Sequence, residues 1–229
     1  MKTLGIIGGI APPSTIEYYR MLFAAYRERR RDGSAPLVII NSIDNQTMLR
    51  LIAANALDEV SGYLAAEVEK LARAGADIGL LASNTPHIVF DRLQELSPIP
   101  LISIVETAFE VVQRSGLTRV GLLGTKFTME GHAYPRVFAR RGITVVRPDP
   151  VDLEYVHEKY MGSWWRECTS RRHVPVCSRW SNGFGIATPS TAWSSAARSC
   201  RSFSGTSTTS GSRFSTPGGF TSRQLSSGC

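Results

Sequence analysis

A chain of 229 residues, 42% of them apolar, is long enough for one large domain or two small ones with a real core. No apolar run approaches the roughly 18 residues of a membrane span, and the short apolar stretch near Met1 leads through glycines into a helical pattern, as a first strand does and a targeting peptide does not. The net charge of +7 invites a nucleic-acid partner, but residues 1–160 hold 18 Lys+Arg against 18 Asp+Glu, so the excess lies entirely in residues 161–229. That tail carries eight Arg, no Lys, one acid (Glu167), all four cysteines (Cys168, Cys177, Cys200, Cys229) and all four tryptophans.

In chain order, the body alternates apolar strand-like runs with helical patterns, which predicts a parallel sheet covered by helices. Residues 3–7 form a first strand, residues 8–13 a glycine-proline turn, and Ser14 or Thr15 caps a helix to about Arg30. A second strand spans 36–41, an amphipathic helix 57–74, and a third strand 78–82. Pro86 suits the first turn of the helix that follows, where no amide donor is needed. Further strands fall at 101–104, 120–123 and 144–146, with helices near 105–115 and 129–140.

The segment Leu4-Gly5-Ile6-Ile7-Gly8-Gly9, with Ser14-Thr15 beyond, is echoed by Val120-Gly121-Leu122-Leu123-Gly124-Thr125, with Thr128-Met129 beyond. Two such copies suggest two similar α/β units, the second beginning near residue 115. Strand-end loops of open parallel sheets bind ligands, because helix N-termini present free amides to anions. Three loops here carry glycine, hydroxyl or amide groups: residues 8–15, 83–87 and 124–128. The first lacks the G-x-G-x-x-G spacing of a dinucleotide site, and no Gly-Lys-Ser/Thr of a phosphate-binding loop occurs.

Taken together, GIIGGIAPPSTIEYY, NSID, LLASNTPH, PLISIVE and VGLLGTKFTME stand in the order and spacing of the aspartate/glutamate racemases, and residues 1–161 resemble that family. The resemblance implies two pseudo-symmetric, open parallel-sheet (Rossmann-like) α/β domains facing each other across a cleft. In this chain they would be a first domain over 1–114 and the start of a second over 115–162. It also implies a cytoplasmic homodimer that takes a small-molecule amino-acid substrate, needs no cofactor or metal, and engages neither nucleic acid nor membrane.

Racemisation removes the α-proton from one face and returns one to the other, so the family places an acid/base thiol on each side. Hydrogen bonds to the substrate carboxylate then stabilise the carbanion. The family's first thiol lies in Cys-Asn-Thr-x-His, which here is Ser83-Asn84-Thr85-Pro86-His87. Asn84 and Thr85 match its carboxylate-binding pair, as Thr125 does in the second half, and Ser42 and Arg50 stand where it contacts substrate. His87 is a structural residue at a helix start. Ser83 departs from the pattern: a hydroxyl is far too weak an acid to replace a thiol, so a narrow or one-directional reaction is expected, carried by the second domain's cysteine.

The tail supplies no such cysteine in place. Of its 69 residues 25 are Ser or Thr and four are Leu, Ile or Val, too few to build the missing strands. A reading-frame shift after Gly162 accounts for this. Joining the last base of each codon to the first two of the next permits Glu-Leu-Val-Glu across residues 162–166. Across 195–203 it permits Gly-Cys-Thr-Glu-Leu-Pro-Leu-Ile, and across 213–222 it permits a run containing Asp-Thr-x-x-x-His. The last two are the family's second-cysteine and C-terminal signatures. Residues 163–229 are therefore read as an aberrant, frameshifted extension, and the chain as an impaired racemase. Two alternatives stand beside it: a non-catalytic α/β protein whose basic tail binds nucleic acid, and a decarboxylase or isomerase of the same superfamily.

Overall fold

The computed structural model of the protein describes residues 1–163 and 185–187. Two parallel sheets organise it. The first has the order β2-β1-β3-β4, built from β1 (Leu4–Gly8), β2 (Val38–Ser42), β3 (Ile78–Leu81) and β4 (Leu101–Ile102). The second has the order β6-β5-β7, from β5 (Arg119–Leu122), β6 (Thr144–Val146) and β7 (Gly185–Ala187). The α/β class expected from the alternation of patterns, and the two parallel-sheet units expected from the internal echo and the family resemblance, are the fold observed.

Side chains of β1 and β3 alternate between two cores, as the period of a strand requires. Ile7 and Leu81 face α2 (Asn45–Ala53), α3 (Leu57–Arg73) and α4 (Phe90–Leu96), packing with Met48, Ile52, Leu64, Leu71 and Leu93. Val60, Leu64, Val68 and Leu71 recur at three- and four-residue spacing and give α3 its buried stripe. A Cβ at Gly5 would stand only 3.0 Å from Leu71 Cδ1, so the missing side chain lets α3 lie close on β1. The opposite face, with Leu4, Ile6, Ile78 and Leu80, meets Ile104, Val105 and Ala108 of α5 (Ile104–Arg114). This core runs on without a break into the second unit through Val120 and Leu122 of β5 and Tyr134, Val137 and Phe138 of α7 (Ala133–Ala139).

Three local expectations are corrected. Helix α1 (Pro12–Arg29) starts at Pro12, with Ala11 in the capping position and no side-chain cap. Thr15 lies inside the first turn instead, where its Oγ1 accepts from the amide of Gly9 at 3.1 Å. The helix expected over 129–140 is two pieces, α6 (Lys126–Glu130) and α7, separated at Gly131, whose backbone lies against Phe127 O too closely for any side chain. The tail's composition argues against any strand there, yet Gly185, Ile186 and Ala187 pair in parallel with Val120, Gly121 and Leu122. The rest of the tail, with its four cysteines and the positions of the shifted-frame motifs, lies outside the described residues. Among those described, no helix is long and apolar enough to cross a membrane.

Candidate active site

Parallel strands bring their C-terminal loops to one edge of the sheet. In the first sheet Gly8 is in register with Ser42 and Ile7 with Leu81, so the loops after β1, β2 and β3 share that edge. The β1 loop is tightly bent: Gly9 has φ +80 and Ala11 φ +100, a conformation that costs a non-glycine residue strain. A Cβ at Gly9 would collide with the backbone of Ile43 and meet Ser42 Oγ at 2.8 Å, so only glycine lets the β1 and β2 loops touch.

The β3 loop supplies Ser83, Asn84 and Thr85, followed by a 3-10 turn over Thr85–Val89. Ser83 and Thr85 are buried. The β5 loop supplies Thr125, whose Oγ1 accepts from the Thr128 amide at 3.3 Å and so caps α6. The two loops meet. Thr85 Oγ1 and Thr125 Oγ1 lie 3.1 Å apart, and Thr128 Oγ1 is 3.0 Å from Thr125 Oγ1, which joins three hydroxyls in one buried chain. One residue away, the Tyr134 hydroxyl donates to Asn84 Oδ1 at 2.7 Å.

The structure thus brings Ser83, Asn84, Thr85 and Thr125 together at the joint between the units. Ser42 shares the sheet edge, exposed at the end of β2. Arg50 is exposed on α2 and donates to Thr47 Oγ1 at 3.3 Å. Among the described residues, neither hydrogen-bonds to the Asn84–Thr85–Thr125 group. Two residues of this group were not named as site residues from the sequence, Tyr134 and Thr128. Thr128 had a signal in the paired hydroxyls of the Gly124–Thr128 loop; Tyr134 had none, since 50 residues separate it from its partner.

His87 is buried and stacks on Phe90, with ring centroids 4.9 Å apart. Its Nε2 accepts from the Ile104 amide at 3.1 Å, so the proton of the neutral ring belongs on Nδ1. Nδ1 is buried with no hydrogen-bond partner among the described residues. Burial pushes the imidazole down to about 4, a shift that contacts with the backbone of Ser83 and Asn84 only partly offset. His87 is therefore a neutral tie between the β3 loop and the start of α5, as expected for a structural residue.

This has a consequence for acid stability. Above pH 6.5 the ring is neutral in both folded and unfolded chains; as pH falls from there toward 4, only the unfolded chain takes up the proton. Stability from His87 should drop by about 1.4 kcal/mol per pH unit over that window, about 3 kcal/mol in all. Urea unfolding of the protein and of His87→Gln at pH 7 and pH 4 checks it. The gap between the two should narrow by that amount at pH 4, whereas a gap independent of pH would exclude a buried neutral ring.

Chemically, the described site is rich in hydrogen-bond donors suited to a carboxylate and contains no thiol, since every cysteine of the sequence lies in the tail. Among the described residues no cluster of His, Cys, Asp or Glu could hold a metal ion.

Known proteins are similar to this chain in sequence and in fold. The chain is 26% identical over 163 residues to the broad specificity amino-acid racemase RacX of Bacillus subtilis (strain 168), a match covering 64% of each protein's length. The chain thus spans less than two thirds of that relative. An aspartate racemase homologue from Pyrococcus horikoshii OT3 superposes with a TM-score of 0.60 at 34% identity, over 69% of both chains. A Yersinia pestis protein crystallised as a candidate Asp/Glu racemase superposes at 0.75 with 25% identity, covering 87% of this chain and 99% of that one. Residues 7–179 match the Asp/Glu/Hydantoin racemase family as a whole, and the chain belongs to that family.

Proposed function

We propose that the protein is a cofactor-independent amino-acid racemase of the aspartate/glutamate type, and that this chain carries half of its catalytic apparatus. Asn84, Thr85 and Thr125 hold the substrate α-carboxylate. The α-proton passes to a base, which in this chain is solvent water because no thiol stands among the described residues, while the C–H electron pair delocalises into that carboxylate as an enediolate and donors on the oxygens stabilise the charge. A proton returned to the opposite face completes the exchange, with no net change in atoms or electrons. The observation that carries this reading is the 3.1 Å approach of Thr85 and Thr125, one hydroxyl from each unit, beside Asn84. The names of RacX and of the aspartate racemase homologue agree with an amino-acid substrate.

Ser83 stands where the family's first thiol stands and cannot carry the proton as a thiol does. The second thiol is proposed to lie in the neighbouring frame, so the chain as written exchanges slowly.

Solvent exchange tests the reading directly. Incubated in deuterium oxide without added cofactor, the protein should incorporate deuterium at the α-carbon of aspartate or glutamate slowly but above the buffer rate. Asn84→Ala should cut that rate by roughly 10- to 100-fold, the loss of about 1.5–3 kcal/mol from a hydrogen bond to a charged group. Exchange no faster than buffer from both enantiomers, in a protein that unfolds cooperatively, would count against it.

A further inference from the structure

We infer that Tyr134 is a positioning residue that fixes the side-chain amide of Asn84 so that its Nδ2 faces the substrate carboxylate. The inference rests on the carboxylate-binding role proposed for Asn84. A carboxamide carries an acceptor and a donor of nearly the same shape, and an Asn that binds an anion works only when the NH2 points at it. Something must therefore select one of two orientations. Asn84 caps no helix with its side chain, so the local backbone does not select it.

The Tyr134 hydroxyl does so from the other unit. It donates to Asn84 Oδ1 at 2.7 Å, which places the carbonyl end of the amide on the phenol and leaves Nδ2 as the end available to a ligand. Burial of the ring pushes its ionisation well above the usual tyrosine range, so the hydroxyl remains a donor at any working pH. The phenol is itself held in place. Its ring packs on Phe138, centroids 5.8 Å apart, and α7 is braced against the first unit by Arg136 with Asp91 and by Arg140 with Glu106 at 2.6 Å. Helix α7 thus sets the orientation of a group in the opposite loop.

Tyr134→Phe keeps the ring and its packing and removes only the donor. Calorimetric titration of the purified full-length protein with the L- and D-forms of aspartate, glutamate, lysine and alanine reads binding, and deuterium incorporation reads exchange in the same samples. Tyr134→Phe should weaken binding of the bound amino acid about tenfold, with a melting temperature close to that of the parent. In an Asn84→Ala background, adding Tyr134→Phe should change affinity less than twofold, because there is no amide left to orient. Unchanged affinity in Tyr134→Phe, or a full tenfold loss that persists without Asn84, would overturn the inference. So would failure of the parent protein to bind any of the amino acids. Binding that follows the expected pattern with no deuterium incorporated would instead overturn the racemase reading and leave the role of Tyr134 standing.

Discussion

Phe138→Ala should destabilise the protein by about 3–5 kcal/mol, the range for removing a large aromatic side chain from a packed interior. Phe138 is fully buried, meets Phe109 edge-on at 5.7 Å between centroids, and lies against Tyr134 on the same helix. Its surroundings are the core that runs unbroken from β1 and β3 through α5 to β5 and α7. A cavity there removes contacts from both units at once, so thermal unfolding monitored by circular dichroism should shift as one transition. Leu64→Ala, in the separate core under α3, should cost about 2–5 kcal/mol and supplies the comparison. Two resolved transitions in Phe138→Ala would show that the units unfold independently and that the shared core does little to join them. The same variant should also weaken ligand binding, since the phenol that orients Asn84 rests on the Phe138 ring.

What the sequence disclosed follows from how local each feature is. Strands β1, β3 and β6 and helix α3 were legible because apolar runs and three-to-four spacing are properties of neighbouring residues. Helix α2 was not foreseen: Asp44, which caps it by accepting from the Gln46 amide at 3.0 Å, sits in the NSID segment, which was read only as part of the family resemblance. The break at Gly131 and the start of α1 at Pro12 depend on backbone contacts that a periodicity pattern does not register. The site divides in the same way. Ser83, Asn84, Thr85 and Thr125 were named because the strand-end loops that carry them resemble, taken together, the racemase family's motifs. Tyr134 and the Thr85–Thr125 contact join residues 40 to 50 positions apart, which only the packing of α7 and β5 on the first unit brings about. The tail is the reverse case, where the sequence carries more than the described structure. The family match runs to residue 179, past Gly162, and the strand at Gly185–Ala187 takes the place beside β5 where a further parallel strand belongs.

If the proposed frameshift after Gly162 is real, shifting the frame there is expected to produce the largest change of all, from slow exchange to turnover. The described residues hold the proposed carboxylate site and lack a thiol, and the shifted frame can encode one in the slot spanning Ala196 and Ala197. An acid/base whose ionisation lies near the working pH contributes about 10²- to 10⁴-fold to proton transfer, so the repaired chain should exceed the present one by a factor in that range. The same shift replaces a stretch of 25 Ser and Thr and only four Leu, Ile or Val with sequence richer in Leu and Val. Core and catalyst would therefore return together, and the net charge should fall from +7 to near zero or below. Sequencing the gene across codon 162 is the first step, followed by expression of the shifted frame and comparison of α-proton exchange from both enantiomers. Substituting the restored cysteine by alanine should return the rate to that of the present chain. An early stop codon in the shifted frame, or the absence there of both the Thr-Glu-Leu-Pro and the Asp-Thr signatures, would rule the shift out. The basic tail would then be native, and titration of the protein with duplex and single-stranded DNA at two salt concentrations would become the decisive measurement.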